Sequence, residues 1–97
     1  MKPIPFLPSA REEFLAAATH YEAAAAGLGH DFITAVERAV TRIAAFSEHG
    51  SPHLEGTRRV VLRRFPFSVV YLLEAESILI VAVAHHGRRP GYWRNRV

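Results

Sequence analysis

Thr57-Arg58-Arg59-Val60-Val61-Leu62-Arg63-Arg64, then Phe65-Pro66, then Phe67 to Glu74, then Ile78 to Ala84: this stretch decides the architecture. Its first run alternates, with Val60 and Leu62 on one face and Arg59, Val61 and Arg63 on the other, the period of a strand. Phe65-Pro66 suits a turn. In the second run Phe67, Val69, Tyr71 and Leu73 alternate against Ser68, Val70 and Leu72, and Glu74-Ala75-Glu76-Ser77 is a polar tight connection. The third run is apolar at every position, as in a central strand covered on both faces.

Upstream the period becomes helical. Ser9-Ala10-Arg11-Glu12 fits a capping box, and Glu12 and Glu13 fall in the expected first turn, where the helix dipole favours carboxylates. Phe14, Ala17, Ala18, Tyr21 and Ala25 recur at helical spacing until Gly27-Leu28-Gly29 breaks the run. A second helix is expected from about His30, with Phe32, Ile33, Val36, Val40, Ile43 and Phe46 on one stripe, stopped by Gly50-Ser51-Pro52. Phe14, Tyr21, Phe32 and Phe46 read as core. Lys2 to Leu7 is extended and proline-rich, a short edge strand at most. Gly87 to Val97 is a polar tail with room for one helical turn after Pro90. The expected order is β-α-α-β-β-β, an α+β fold in which a helical hairpin packs on a small, mostly antiparallel sheet. Residues 1–97 form a single domain in this reading.

A chain of 97 residues with 49% apolar and 22% charged residues is an ordinary globular one, too short for a core plus a deep cofactor pocket. No apolar run approaches a membrane span, prolines interrupt the N-terminal segment, and no cysteine is present. A cytoplasmic protein without cofactor or metal is the simplest reading. Adjacent strand positions point to opposite faces, so His85 and His86 make a poor chelate. One histidine is expected to face the helix layer as a hydrogen-bonded residue and the other the basic surface.

Charge divides the chain. Residues 1–56 carry a net −3, whereas residues 57–97 set eight arginines against Glu74 and Glu76 for +6. The basic half calls for an acidic partner, nucleic acid or an acidic protein segment. Arg58, Arg59, Arg63, Arg64, Arg88, Arg89 and Arg94, with Tyr92 and Trp93, are the candidate partner-binding residues if the tail folds back across the sheet. Of the two aromatics, one is expected to seal the core edge and the other to meet a partner. Tyr71 groups with the inward positions and reads as structural.

Four segments then carry a family resemblance: Ser9-Ala10-Arg11-Glu12-Glu13-Phe14-Leu15, Gly56-Thr57-Arg58-Arg59, Arg64-Phe65-Pro66-Phe67-Ser68-Val69-Val70-Tyr71, and Val83-Ala84-His85-His86-Gly87-Arg88-Arg89-Pro90-Gly91-Tyr92-Trp93. In order and spacing over nearly the whole chain, they resemble the RelE/ParE superfamily of small bacterial type II toxins, and the ParE side more closely. The resemblance implies a hetero-oligomer with a cognate antitoxin. Such antitoxins have a ribbon-helix-helix-like N-terminal part and an acidic C-terminal segment that wraps the toxin. It also implies one of two activities. ParE-like members trap DNA gyrase without cleavage chemistry; RelE-like members cut mRNA in the ribosomal A site. Metal-free RNA cleavage needs a base, cations for the phosphorane and a proton donor. Tyr92, Arg88, Arg63, Arg64 and His86 are the candidates here. RelE-like enzymes, however, carry an arginine where this chain has Ser68. The expectation is therefore a gyrase inhibitor, with the mRNA endonuclease as the alternative and an inactive toxin-fold binding module as a third.

Overall fold

The computed structural model describes residues 3–97, so Lys2 of the expected first strand lies outside the described residues. Helix α1 spans Pro8–Ala24 and helix α2 Leu28–Ala45. Strands follow at Ser51–Pro52 (β1), Arg58–Val61 (β2), Phe67–Leu73 (β3) and Ile78–His85 (β4), and a 3₁₀ turn covers Arg94–Arg96. The sheet order is β1-β2-β3-β4, antiparallel at every pairing. The expected α+β fold is present: a helical hairpin on an antiparallel sheet. The N-terminal segment contributes one parallel bridge, Phe6 to Ile80, in place of a full strand.

The boundaries differ from the sequence expectation for local reasons. Pro8 is the first helical residue, with its φ preset and no N–H to satisfy, so Leu7 becomes the N-cap and Ser9 falls inside the helix. The capping box accordingly does not form. Gly27 takes φ +86° as the N-cap of α2, and Gly29 sits where an added Cβ would come within 2.5 Å of the Ala18 carbonyl oxygen. The Glu22 carboxylate accepts from both glycine amides, which ties the two helices at their junction. Because α2 ends at Ala45, Phe46 leaves the helical path and is 71% exposed. Its assignment to the core is thus corrected.

Phe32 is fully buried at the hub of the core, with ring centroids of Phe14, Tyr21, Phe65 and Phe67 between 5.0 and 6.1 Å away. Strand β3 is interior and β4 lies at the sheet's end, so the apolar run belongs to an outer strand, yet one covered on both faces. A β-bulge explains how. Tyr71 pairs with Ile80 and Val70 with Ala82, leaving Val81 as the extra residue. The bulge shifts side-chain parity, so Ile80 and Val83 join the helix-side core while Val81 and Ala82 face the other way with Val70 and Trp93. Tyr71 is structural as read: its hydroxyl donates to the Ser47 carbonyl at 2.7 Å and accepts from the Gly50 amide at 2.9 Å.

Candidate functional site

Of the eight arginines of the basic half, Arg59, Arg63, Arg64, Arg88 and Arg89 line two open grooves. The first, of about 800 Å³, lies between α2 and the outer edge of β2. Arg59, Arg63 and Arg64 line it from the sheet, Arg38 and Arg42 from the helix, and Asp31 is its one acidic residue. Arg64 pairs with that carboxylate at 3.1 Å and lies 5.4 Å from the Phe65 ring centroid. β1 pairs only with Arg58 and Arg59, so beyond them the edge of β2 has no strand beside it among the described residues, and Val61 is 51% exposed. Arg38 and Arg42 were not singled out from sequence; their spacing of four places both on one helix face, as for Asp31 and Ala35.

The second groove, of about 340 Å³, lies on the sheet face away from the helices. Arg59, Arg88, Arg89, His53 and His86 line it, over Ser68, Val70, Tyr92 and Trp93, with no carboxylate among the lining residues. Arg59 alone of the arginines reaches both grooves. Burial, then the neighbouring Arg59 charge, lowers the affinity of His53 for a proton. Ser68 is buried, and its hydroxyl is 2.8 Å from His86 Nε2. The hydrogen-bonded partner of the sheet is therefore His86, whereas His85 sits on the helix side with its ring edge-on to Phe67 at 5.0 Å yet remains exposed.

Trp93 is the aromatic that seals: it is 2% exposed, with its ring 5.7 Å from that of His53. Tyr92 is half-buried, and its own chain's cations lie against its ring, Arg88 at 3.9 Å and Arg96 at 5.2 Å. The Tyr92 hydroxyl donates to Glu13 Oε2 at 2.5 Å. Burial, followed by that hydrogen bond and the Glu13 charge, holds the hydroxyl far above the ordinary phenol range against the opposing pull of Arg96 and Arg88. Arg96 forms a two-pronged pair with the same carboxylate at 2.9 and 3.1 Å, a hydrogen bond that strengthens its hold on its own proton. Arg58 is engaged elsewhere, donating to the Gly50 carbonyl at 2.7 Å, and Arg94 pairs loosely with Glu55 at 4.0 Å.

Glu13 is the residue that sequence reasoning missed. It was read as a helix-dipole carboxylate, but it stands on the inward stripe of α1 between buried Ala10 and Ala17. A carboxylate on an apolar stripe needs a partner, and that mismatch was the available signal.

Of the five residues that would cut RNA, Tyr92, Arg88 and His86 share the second groove, whereas Arg63 and Arg64 line the first. Ser68 supplies no charge among them.

A family model described as the ParE toxin of type II toxin-antitoxin system, parDE, matches residues 4–90. Among solved structures, a chain of the chromosomal ParDE TA system from P. aeruginosa superposes with a TM-score of 0.71 at 19% identity. The match covers 88% of this chain and 96% of that one, and at such identity it speaks for the fold. No curated protein matches the sequence. Among the described residues, no helix is long and apolar enough to cross a membrane.

Proposed function

This chain belongs to the ParE toxin family of type II toxin–antitoxin systems, and we propose that it inhibits DNA gyrase by binding, in the bacterial cytoplasm, until a cognate antitoxin neutralises it. The observation that carries the binding reading is the Tyr92 hydroxyl, which shares the second groove with Arg88 and His86 but is bonded to Glu13, while Arg63 and Arg64 line the other groove. A general acid or base must reach the reacting proton while cations meet the same phosphorane. Here the Tyr92 hydroxyl donates a hydrogen bond to Glu13, and burial with that bond makes it keep its proton more tightly than an ordinary phenol. Inhibition by docking asks only for a complementary surface.

The first groove suits the antitoxin. An open strand edge offers backbone donors and acceptors to an added strand, and the arginines around it match an acidic segment. The second groove then faces gyrase, presenting Arg59, Arg88 and Arg89 with no competing carboxylate in its lining.

Purified toxin added to gyrase and relaxed plasmid is expected to block supercoiling and leave linear, gyrase-linked DNA. Adding the antitoxin should restore supercoiling. Normal supercoiling at saturating toxin contradicts the proposal. Toeprints showing fresh mRNA breaks on translating ribosomes, lost in Tyr92→Phe, would replace it with the endonuclease reading.

A further inference from the structure

The free edge of β4 is closed partly by backbone and partly by side chains. At Ile80 the N-terminal segment supplies a bridge, Leu7 N–H to the Ile80 carbonyl and Ile80 N–H to the Pro5 carbonyl, both at 2.9 Å. Further along, side chains take over. The Val83 amide donates to Glu13 Oε1 at 3.1 Å, and the Val81 carbonyl accepts from Arg96 Nη1 at 3.2 Å. A carboxylate and a guanidinium, themselves paired, thus stand in for one rung of a neighbouring strand.

These bonds also hold the tail. From Arg88 onward the tail's backbone amides donate within three residues of themselves: Arg88 to His85, Tyr92 to Arg89, Arg94 to Gly91, Arg96 to Trp93 and Val97 to Arg94. Among the described residues, apart from the packing of Trp93 and Tyr92, the polar ties to the body are the bonds to Glu13 and Val81 and the Arg94–Glu55 pair. That last pair is half exposed on both sides, and such pairs contribute little. Glu13 and Arg96 are mostly buried, at 15% and 20% side-chain exposure, and their bonds are charge-assisted. Removing one partner would strand the other in a poorly hydrated site.

We propose that residues 87–97 form a strap locked by Glu13, and that Glu13 is thereby a positioning residue for the second groove. It fixes Tyr92, against whose ring Arg88 rests, and so sets the groove's cationic rim. Release of the lock lifts the strap from Val70, Val81 and Ala82 and bares the β4 edge, while the helix-covered body stays folded. The consequence for gyrase rests on the function proposed above; the lock itself does not.

Trp93 is the only tryptophan, so its emission reports the strap directly. Glu13→Gln is expected to shift that emission to the red and strip the Val83 amide of exchange protection. Far-UV circular dichroism and cooperative melting should persist, and inhibition of gyrase should weaken. Tyr92→Phe and Arg96→Met, each removing fewer ties, should produce smaller shifts of the same kind. The Glu13→Gln, Arg96→Met double variant should shift less than the two singles combined. Unchanged emission in both Glu13→Gln and Arg96→Met overturns the proposal. Should Glu13→Gln fail to fold, heating Arg96→Met decides: emission moving ahead of circular dichroism supports the strap, and simultaneous loss overturns it. Failure of the gyrase reading shows separately, as normal supercoiling with wild-type toxin alongside the emission shift.

Discussion

The two faces of the sheet are buried by unlike means. On one side a helical hairpin covers Val69, Tyr71, Ile80 and Val83 through a continuous aromatic cluster centred on Phe32. On the other, Val70, Val81 and Ala82 lie under one tryptophan carried by a strap of turns, with one carboxylate as its main tether. Both faces bury apolar side chains, yet only the first has cover with its own regular hydrogen bonding. The difference teaches that burial and cooperativity are separate properties: an apolar face can be closed by a unit that opens alone. The second groove lies on the side that the strap covers.

Three measurements probe that contrast. Phe32→Ala removes the ring that joins both helices to Phe67 of β3 and to Phe65 in the turn before it. It should cost about 3–5 kcal/mol in urea unfolding, in one transition, as for large rings cut from tight cores. Trp93→Ala removes a comparable ring from the other face, but the strap is free to lift or collapse over the gap. A smaller loss of about 2 kcal/mol is expected, because the cost depends on how well the site relaxes. Equal losses for the two variants would erase the distinction.

The smallest effect concerns pH. His53 lies beside Trp93 with its pKa lowered by burial and by Arg59. The unfolded chain therefore binds the His53 proton more readily. The stabilisation from a neutral His53 is complete above the ordinary histidine value of about 6.5 and is lost as pH falls below it. His53→Gln should flatten the melting temperature between neutral and mildly acid pH by under about 2 °C. A steeper acid loss in the variant would contradict this sign.

Much of the fold was legible because its strands obey simple rules. Alternation in Thr57 to Arg64 and Phe67 to Glu74 placed Val60, Leu62, Val69 and Tyr71 inward correctly. What alternation could not give was the bulge at Val81, since a run of seven apolar residues carries no parity to interrupt. Helix ends were misjudged where a single residue decides: Pro8 outranked Ser9 as the start, and termination at Ala45 turned Phe46 outward. The candidate site was half legible. Sequence named the arginines, Tyr92 and Trp93, but their sorting into two grooves depends on how the tail returns across the sheet. That return is fixed by Glu13, seventy residues upstream of the Val83 amide it accepts from.

Charge reversal in each groove asks whether the two serve different partners, as proposed. Arg88→Glu with Arg89→Glu alters the second groove; Arg38→Glu with Arg63→Glu alters the first. Gyrase supercoiling and antitoxin affinity are then measured on both proteins. The expected result is that the first pair abolishes gyrase inhibition and leaves antitoxin affinity within a few-fold, while the second pair does the reverse. Equal damage to both readouts from either pair, or the opposite assignment, would contradict the account.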